Sequence, residues 1–228
     1  MRFMFVGDSM TIGRAGDYTW RYRMWQHLNR AFGGPYRIVG PRTELYDTVA
    51  AAAVSTAYAD PAFPERARKH LAGWGEGWLH MAPLIRETVT ATKADVLLVS
   101  LGLIDLGFYT NSSQTAENAR RFIAAAREAN PHVRAVLLPV IPNVRATSDA
   151  PFATECDRFN ELLAKAVADL DSPASPLLLA SPPASYDIHS DTYDGTHPGP
   201  SGEHKLAATF ADAMHQAWDL GAPYEPAG

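Results

Sequence analysis

Arg2-Phe3-Met4-Phe5-Val6-Gly7-Asp8-Ser9 opens the chain with an apolar run that ends abruptly in Gly-Asp-Ser. A run this short, closed by a turn signal, reads as a buried strand meeting a tight turn. Strands that are apolar throughout belong to parallel sheets covered on both faces. Ser9 then stands at the carboxyl end of a strand, where open α/β sheets bind their ligands.

Outward from that turn, apolar runs alternate with segments of helical period. Residues 18–32 place Tyr18, Tyr22, Trp25, Leu28 and Phe32 near one face, and Gly33-Gly34-Pro35 ends the pattern. Residues 36–40 read as a second strand. Residues 41–72, with an alanine run and a Tyr58-Ala59-Asp60-Pro61 turn, read as an irregular excursion holding at most one short helix. A helix is expected over 78–92, and 95–101 is the clearest buried strand. A helix over 116–129 ends at Asn130-Pro131. A strand over 133–140, a helix over 152–170, a fifth strand over 176–180 and a closing helix over 201–220 complete the pattern.

Five strands alternating with helices predict an α/β fold, a three-layer α/β/α sandwich around a five-stranded parallel sheet. A single domain is expected over residues 1–221, followed by a loose tail over 222–228. Ser9, Gly102, Asn143 and the loop holding Asp194 and His197 all follow strand ends or precede the next helix. They can therefore converge on one rim.

The 228 residues are ample for a sizeable core, and 46% apolar with 20% charged residues is an ordinary globular composition. The net charge of -5 and the absence of a long basic run point away from nucleic acid as a partner. One cysteine, Cys156, excludes an internal disulfide and a cysteine-based metal site. No Gly-x-Gly-x-x-Gly follows the first strand and no His/Cys ligand cluster stands out, so no metal or redox cofactor is expected. No apolar run is long enough to span a membrane and no leader precedes the first strand, so a cytoplasmic protein is expected.

The residue types for nucleophilic catalysis are present. A serine hydroxyl needs a base within hydrogen-bond reach and a third group to orient that base. His197, in Tyr193-Asp194-Gly195-Thr196-His197-Pro198, is the expected base. Asp194, three residues before it, can fold back onto the ring nitrogen facing away from Ser9. His189 is close in sequence but lacks such a partner. An oxyanion needs donors too; the Ser9 N–H and a glycine of Gly73-Trp74-Gly75-Glu76-Gly77-Trp78 are candidates. Trp20, Trp74, Trp78, Phe108, Tyr109, Tyr186 and Tyr193 could line an apolar or sugar-stacking cleft. Arg14 could meet an anionic group on the substrate or serve only as a solvated charge.

Four stretches together resemble the four blocks of the SGNH (GDSL) hydrolase superfamily. They are Gly7-Asp8-Ser9, the glycine-tryptophan segment, Leu101-Gly102-Leu103-Ile104-Asp105-Leu106, and Asp194-Gly195-Thr196-His197-Pro198. The Tyr58-Ala59-Asp60-Pro61 and Asp105-Leu106-Gly107-Phe108 stretches look like an actinobacterial branch of it. The resemblance implies a flavodoxin-like sandwich and a catalytic Ser9–His197–Asp194 triad. It implies esterase, lipase, deacetylase, thioesterase or acyltransferase chemistry on a small acyl ester or thioester, without metal or cofactor. It places the oxyanion glycine at Gly75, with Gly77 as runner-up, and gives Asp8 and Asp105 loop-holding roles.

One position departs from the family pattern. The third block normally reads Gly-x-Asn-Asp, its asparagine donating to the oxyanion; here Ile104 stands at that place. Losing such a donor costs about 2.7–4 kcal/mol, or about 10²–10³ in rate. Asn143 or Asn111 could replace it, an activated thioester could need less help, or the scaffold could serve a non-hydrolytic binding or cyclisation role.

Overall fold

A computed structural model describes residues 1–226 of the chain. β1 (Arg2–Gly7) lies at the centre of the sheet, with Phe3, Met4, Phe5 and Val6 fully buried, because helices cover both of its faces. α1 (Ser9–Ile12) is one turn, and α2 (Trp20–Ala31) starts at Thr19, whose side chain accepts the Tyr22 N–H. β2 (Arg37–Ile38) pairs with β1 in parallel.

The excursion over 41–72 is more regular than its sequence implies. β3 (Leu45–Asp47) and β4 (Ala52–Ser55) form an antiparallel hairpin, and the alanine run supplies its turn and returning strand. The one helical piece is a single 3₁₀ turn at Glu65–Ala67. β5 (Leu71–Ala72) then joins β1 in parallel at Val6 and Gly7, a sixth strand of the main sheet beyond the five expected.

The helix expected over 78–92 is two helices, α3 (Trp78–Met81) and α4 (Ile85–Thr92), split at Ala82-Pro83-Leu84. Proline has no N–H to donate and its ring clashes with the preceding turn. β6 (Val96–Ser100) leads through a short π-helical turn, Asp105–Tyr109, into α5 (Ser112–Ala129). β7 (Arg134–Leu138), a 3₁₀ turn at Val144–Thr147, α6 (Ala150–Leu170), β8 (Leu177–Leu179) and α7 (Pro200–Trp218) follow.

The sheet runs β2-β1-β6-β7-β8, all parallel, with β5 beside β1. This is an α/β sandwich of the expected flavodoxin-like order. α2 packs with α7, and α5 packs with α4 and α6. Trp20 stacks on Phe210 and meets Phe5 edge-on in one layer, while Trp78 meets Phe122 in another. The strand order reverses between β1 and β6, so a crevice opens beyond their carboxyl ends.

Within the expected tail, Tyr224 packs back on the fold. The Tyr224 N–H donates to Asp212, its hydroxyl pairs with His204, and its ring lies on His27. The last two residues of the expected tail, 227–228, lie outside the described residues. Among the described residues no helix is long and apolar enough to cross a membrane.

Candidate active site

Ser9 is the first residue of α1, at the end of β1. Asp8 caps that turn, its carboxylate accepting the Met10 N–H at 3.0 Å. Burial pushes the Asp8 carboxyl up to about 7, against the Met10 hydrogen bond, and nearby Asp105 pushes in the same direction. The segment after Ser9 is held from beneath by Arg21. This fully buried guanidinium donates to the Thr11 and Ile12 carbonyls and to the Tyr58 hydroxyl.

The loop between β8 and α7 brings His197 to Ser9. Nε2 of His197 lies 2.9 Å from Ser9 Oγ, and Nδ1 lies 2.7 Å from Asp194 Oδ2. An ionised carboxylate only accepts, so Nδ1 carries the proton and Nε2 accepts from the Ser9 hydroxyl. The other Asp194 oxygen accepts the backbone N–H groups of Thr196 and His197. Burial raises the Asp194 carboxyl, but the bonds from the His197 backbone and ring outweigh it and leave it below the ordinary value. Ser9 is buried and the His197 side chain is 15% exposed, so the pair meets at the floor of the site. His189 stands apart on an exposed turn, its N–H donating to Asp187.

A cleft of about 360 Å³ opens over Ser9 and His197. Leu103, Ile104 and Phe152 contribute apolar groups to its wall, Gly75 lies on the wall, and Phe108 and Tyr109 stand at the rim, 77% and 52% exposed. Gly75 has a φ of +74°, which favours glycine, and among the described residues its N–H meets no protein acceptor. The Ser9 N–H is equally free, as the first N–H of a helix must be without an outside partner.

Gly77 does not share this position. Its N–H donates to His80 Nδ1, and a Cβ there would lie 2.1 Å from Asp105 Oδ2. Gly77 makes room for Asp105, which is fully buried and accepts the N–H groups of Trp78 and Leu79. Burial raises the Asp105 carboxyl, and those two bonds oppose the rise. Asp105 therefore holds the third block against α3.

The two asparagines weighed as replacement donors differ in place. Asn143 lines the cleft; its amide gives one N–H to Thr196 Oγ1, and its carbonyl oxygen accepts the Arg145 N–H, which leaves the second amide hydrogen for another acceptor. Asn111 caps α5 by accepting the Gln114 N–H and is not part of the cleft lining. Of the aromatics, Trp20 and Trp78 are core residues with no exposure, and Tyr186 packs on the core away from the cleft. Trp74, Phe108 and Tyr109 line the cleft. Arg14 lies over the Tyr193 ring and pairs with Asp17. Arg145 and Phe152 also line the cleft, and no local motif marks them in the sequence. Among the described residues no cluster of His, Cys, Asp or Glu side chains could hold a metal ion.

The family model described as GDSL-like Lipase/Acylhydrolase family matches residues 5–205, which include all four blocks. The chain belongs to that family. No curated protein matches it. Among solved structures, the GDSL-like chain is similar to a serine-to-alanine mutant of an acetyl esterase with acetate ion. Identity is 23%, covering 95% of this chain and 97% of the other, with a TM-score of 0.76. A carbohydrate esterase family 3 protein from Talaromyces cellulolyticus gives the same identity, coverage and score. A family 3 carbohydrate esterase from Clostridium thermocellum is 18% identical, covering 95% and 96%, with a TM-score of 0.72. At such identities the likeness is one of fold.

Proposed function

We propose that the chain is a serine esterase that cleaves a small acyl ester or thioester through an acyl-serine intermediate. The observation that carries this reading is the line Asp194–His197–Ser9, with contacts of 2.7 and 2.9 Å and the proton on the nitrogen facing Asp194.

Ser9 Oγ attacks the substrate carbonyl carbon while His197 Nε2 takes the hydroxyl proton. Asp194 holds the tautomer and faces the positive charge that forms on the ring. The N–H groups of Ser9 and Gly75 receive the negative oxygen. As the tetrahedral adduct collapses, the bond to the leaving alcohol or thiol breaks and His197 returns the proton to it. Water, deprotonated by His197, then attacks the acyl-serine and releases the acid. The apolar wall of Leu103, Ile104 and Phe152 suits the acyl side, and Phe108 and Tyr109 offer flat faces to the leaving group.

Acyl transfer to an alcohol or amine shares every step up to the acyl-serine and differs only in the acceptor. The non-hydrolytic reading rests on Ile104, and Ser9 beyond reach of His197 with no donor near the expected oxyanion would support it. The 2.9 Å contact and the unengaged Gly75 N–H count against it.

Ser9→Ala and His197→Ala should each lower kcat on a short-chain aryl ester by about 10⁴ or more, with circular dichroism unchanged. Wild-type turnover in both variants would overturn the assignment.

A further inference from the structure

His197 lies within a continuous stack. On one face the Trp74 ring is parallel to it, with centroids 4.6 Å apart and planes inclined by 17°. Behind Trp74 lies Tyr46, at 4.3 Å and 14°. Tyr193 is also near-parallel to the imidazole, at 5.7 Å and 16°. The Arg14 guanidinium carbon sits 3.7 Å from the Tyr193 centroid and closes that end.

The parts come from four separate places in the chain: the loop after α1, the β3–β4 hairpin, the glycine-tryptophan segment and the His197 loop. The hairpin is joined to the first of these by two bonds. The Tyr46 N–H donates to the Gly13 carbonyl, and the Ala15 N–H donates to the Tyr46 carbonyl.

We propose that Trp74 and Tyr193 are positioning residues whose rings, stacked against the His197 imidazole, hold it in the plane that aims Nε2 at Ser9. This rests on the reading of His197 as general base. Rings stacked near-parallel on the imidazole resist its tilting, and the Nδ1–Asp194 bond resists its rotation in plane. Nε2 is then aimed at Ser9 before substrate arrives.

The other groups facing His197 fit this arrangement. Asp194 lies at Nδ1, and Arg14 is separated from the imidazole by Tyr193 and balanced by Asp17. Arg145 shares the cleft but is paired with Asp149.

Tyr193 is outside the cleft lining, whereas Trp74 is part of it. Tyr193→Leu therefore tests the stack without removing a substrate contact. The expected result is a fall of about tenfold in kcat at unchanged KM, with activity restored in Tyr193→Phe. Equal kcat in Tyr193→Leu and wild type, or a Phe variant as impaired as the Leu variant, would overturn the proposal.

A second measurement needs no catalysis. The emission of an indole depends on what is stacked against it, so Trp74 emission reports the His197 contact. Trp74 emission, taken as wild type minus Trp74→Phe, should change in His197→Gln. A Trp74 signal unaffected by His197→Gln would overturn the stack even in an active enzyme. A changed signal in a chain that hydrolyses no ester would instead overturn the esterase reading alone.

Discussion

Ile104 is where this chain leaves its family's pattern, and its surroundings give the departure a chemical meaning. Its side chain belongs to the cleft wall with Leu103 and Phe152, so a polar donor has been exchanged for apolar contact surface. The Ser9 and Gly75 N–H groups meet no protein acceptor among the described residues, and Asn143 at the cleft keeps one amide hydrogen beyond its bond to Thr196. Ile104→Asn should raise kcat/KM on a short aryl ester by about tenfold or more, toward the range attributed to one such donor. No gain in a folded variant would mean that this position does not face the developing charge. Ser9, Asp194 and His197 are legible in the sequence because each sits in a compact motif, Ser9 at the end of β1 and the other two just before α7. The stack around His197 is not, because Tyr46, Trp74 and Tyr193 come from segments that no local pattern connects.

Among the elements, those with a long period are legible and the short ones are not. Of the five expected strands, β1, β6 and β7 form from apolar runs buried along nearly their whole length, whereas β2 keeps only Arg37 and Ile38, with Arg37 exposed, and β8 is buried only at Leu177. β5 escapes notice because two residues, Leu71 and Ala72, carry no periodic signal. The β3–β4 hairpin escapes because small alanines supply its turn and returning strand, where bulky branched residues would have marked one. The break at Pro83 follows from the residue itself, although the apolar period runs through it. The junction before α3 has a tighter requirement. Gly77 lies so close to the Asp105 carboxylate that any side chain must push it from the Trp78 and Leu79 N–H groups. Gly77→Ala should therefore destabilise the fold by about 2–4 kcal/mol in urea unfolding. A variant as stable as wild type would show that the third block can shift without loss.

For the molecule as a whole, the strand order places the Ser9 turn and the Asp105 turn side by side at the reversal point between β1 and β6. Two buried carboxyls, Asp8 and Asp105, meet there, and this gives folding a pH dependence. Asp8 is raised from 3.8 to about 7, chiefly by burial, so the folded chain holds a proton that the unfolded chain has released. That contribution is fully present below about pH 4, declines as pH rises and is lost above about pH 7. The Asp8→Asn variant still accepts the Met10 N–H but cannot ionise. The stability of wild type relative to this variant should fall by up to about 4 kcal/mol between pH 4 and pH 8. A difference constant with pH would mean that Asp8 is ionised in the folded chain throughout.

The central claim is that Ser9 is an activated nucleophile, and a fluorophosphonate tests it by intact mass, on wild type beside Ser9→Ala. One adduct on wild type, absent from Ser9→Ala, is the predicted result, because His197 Nε2 already lies 2.9 Å from Ser9 Oγ. No adduct on folded wild type, while a known serine hydrolase labels in parallel, would contradict the account.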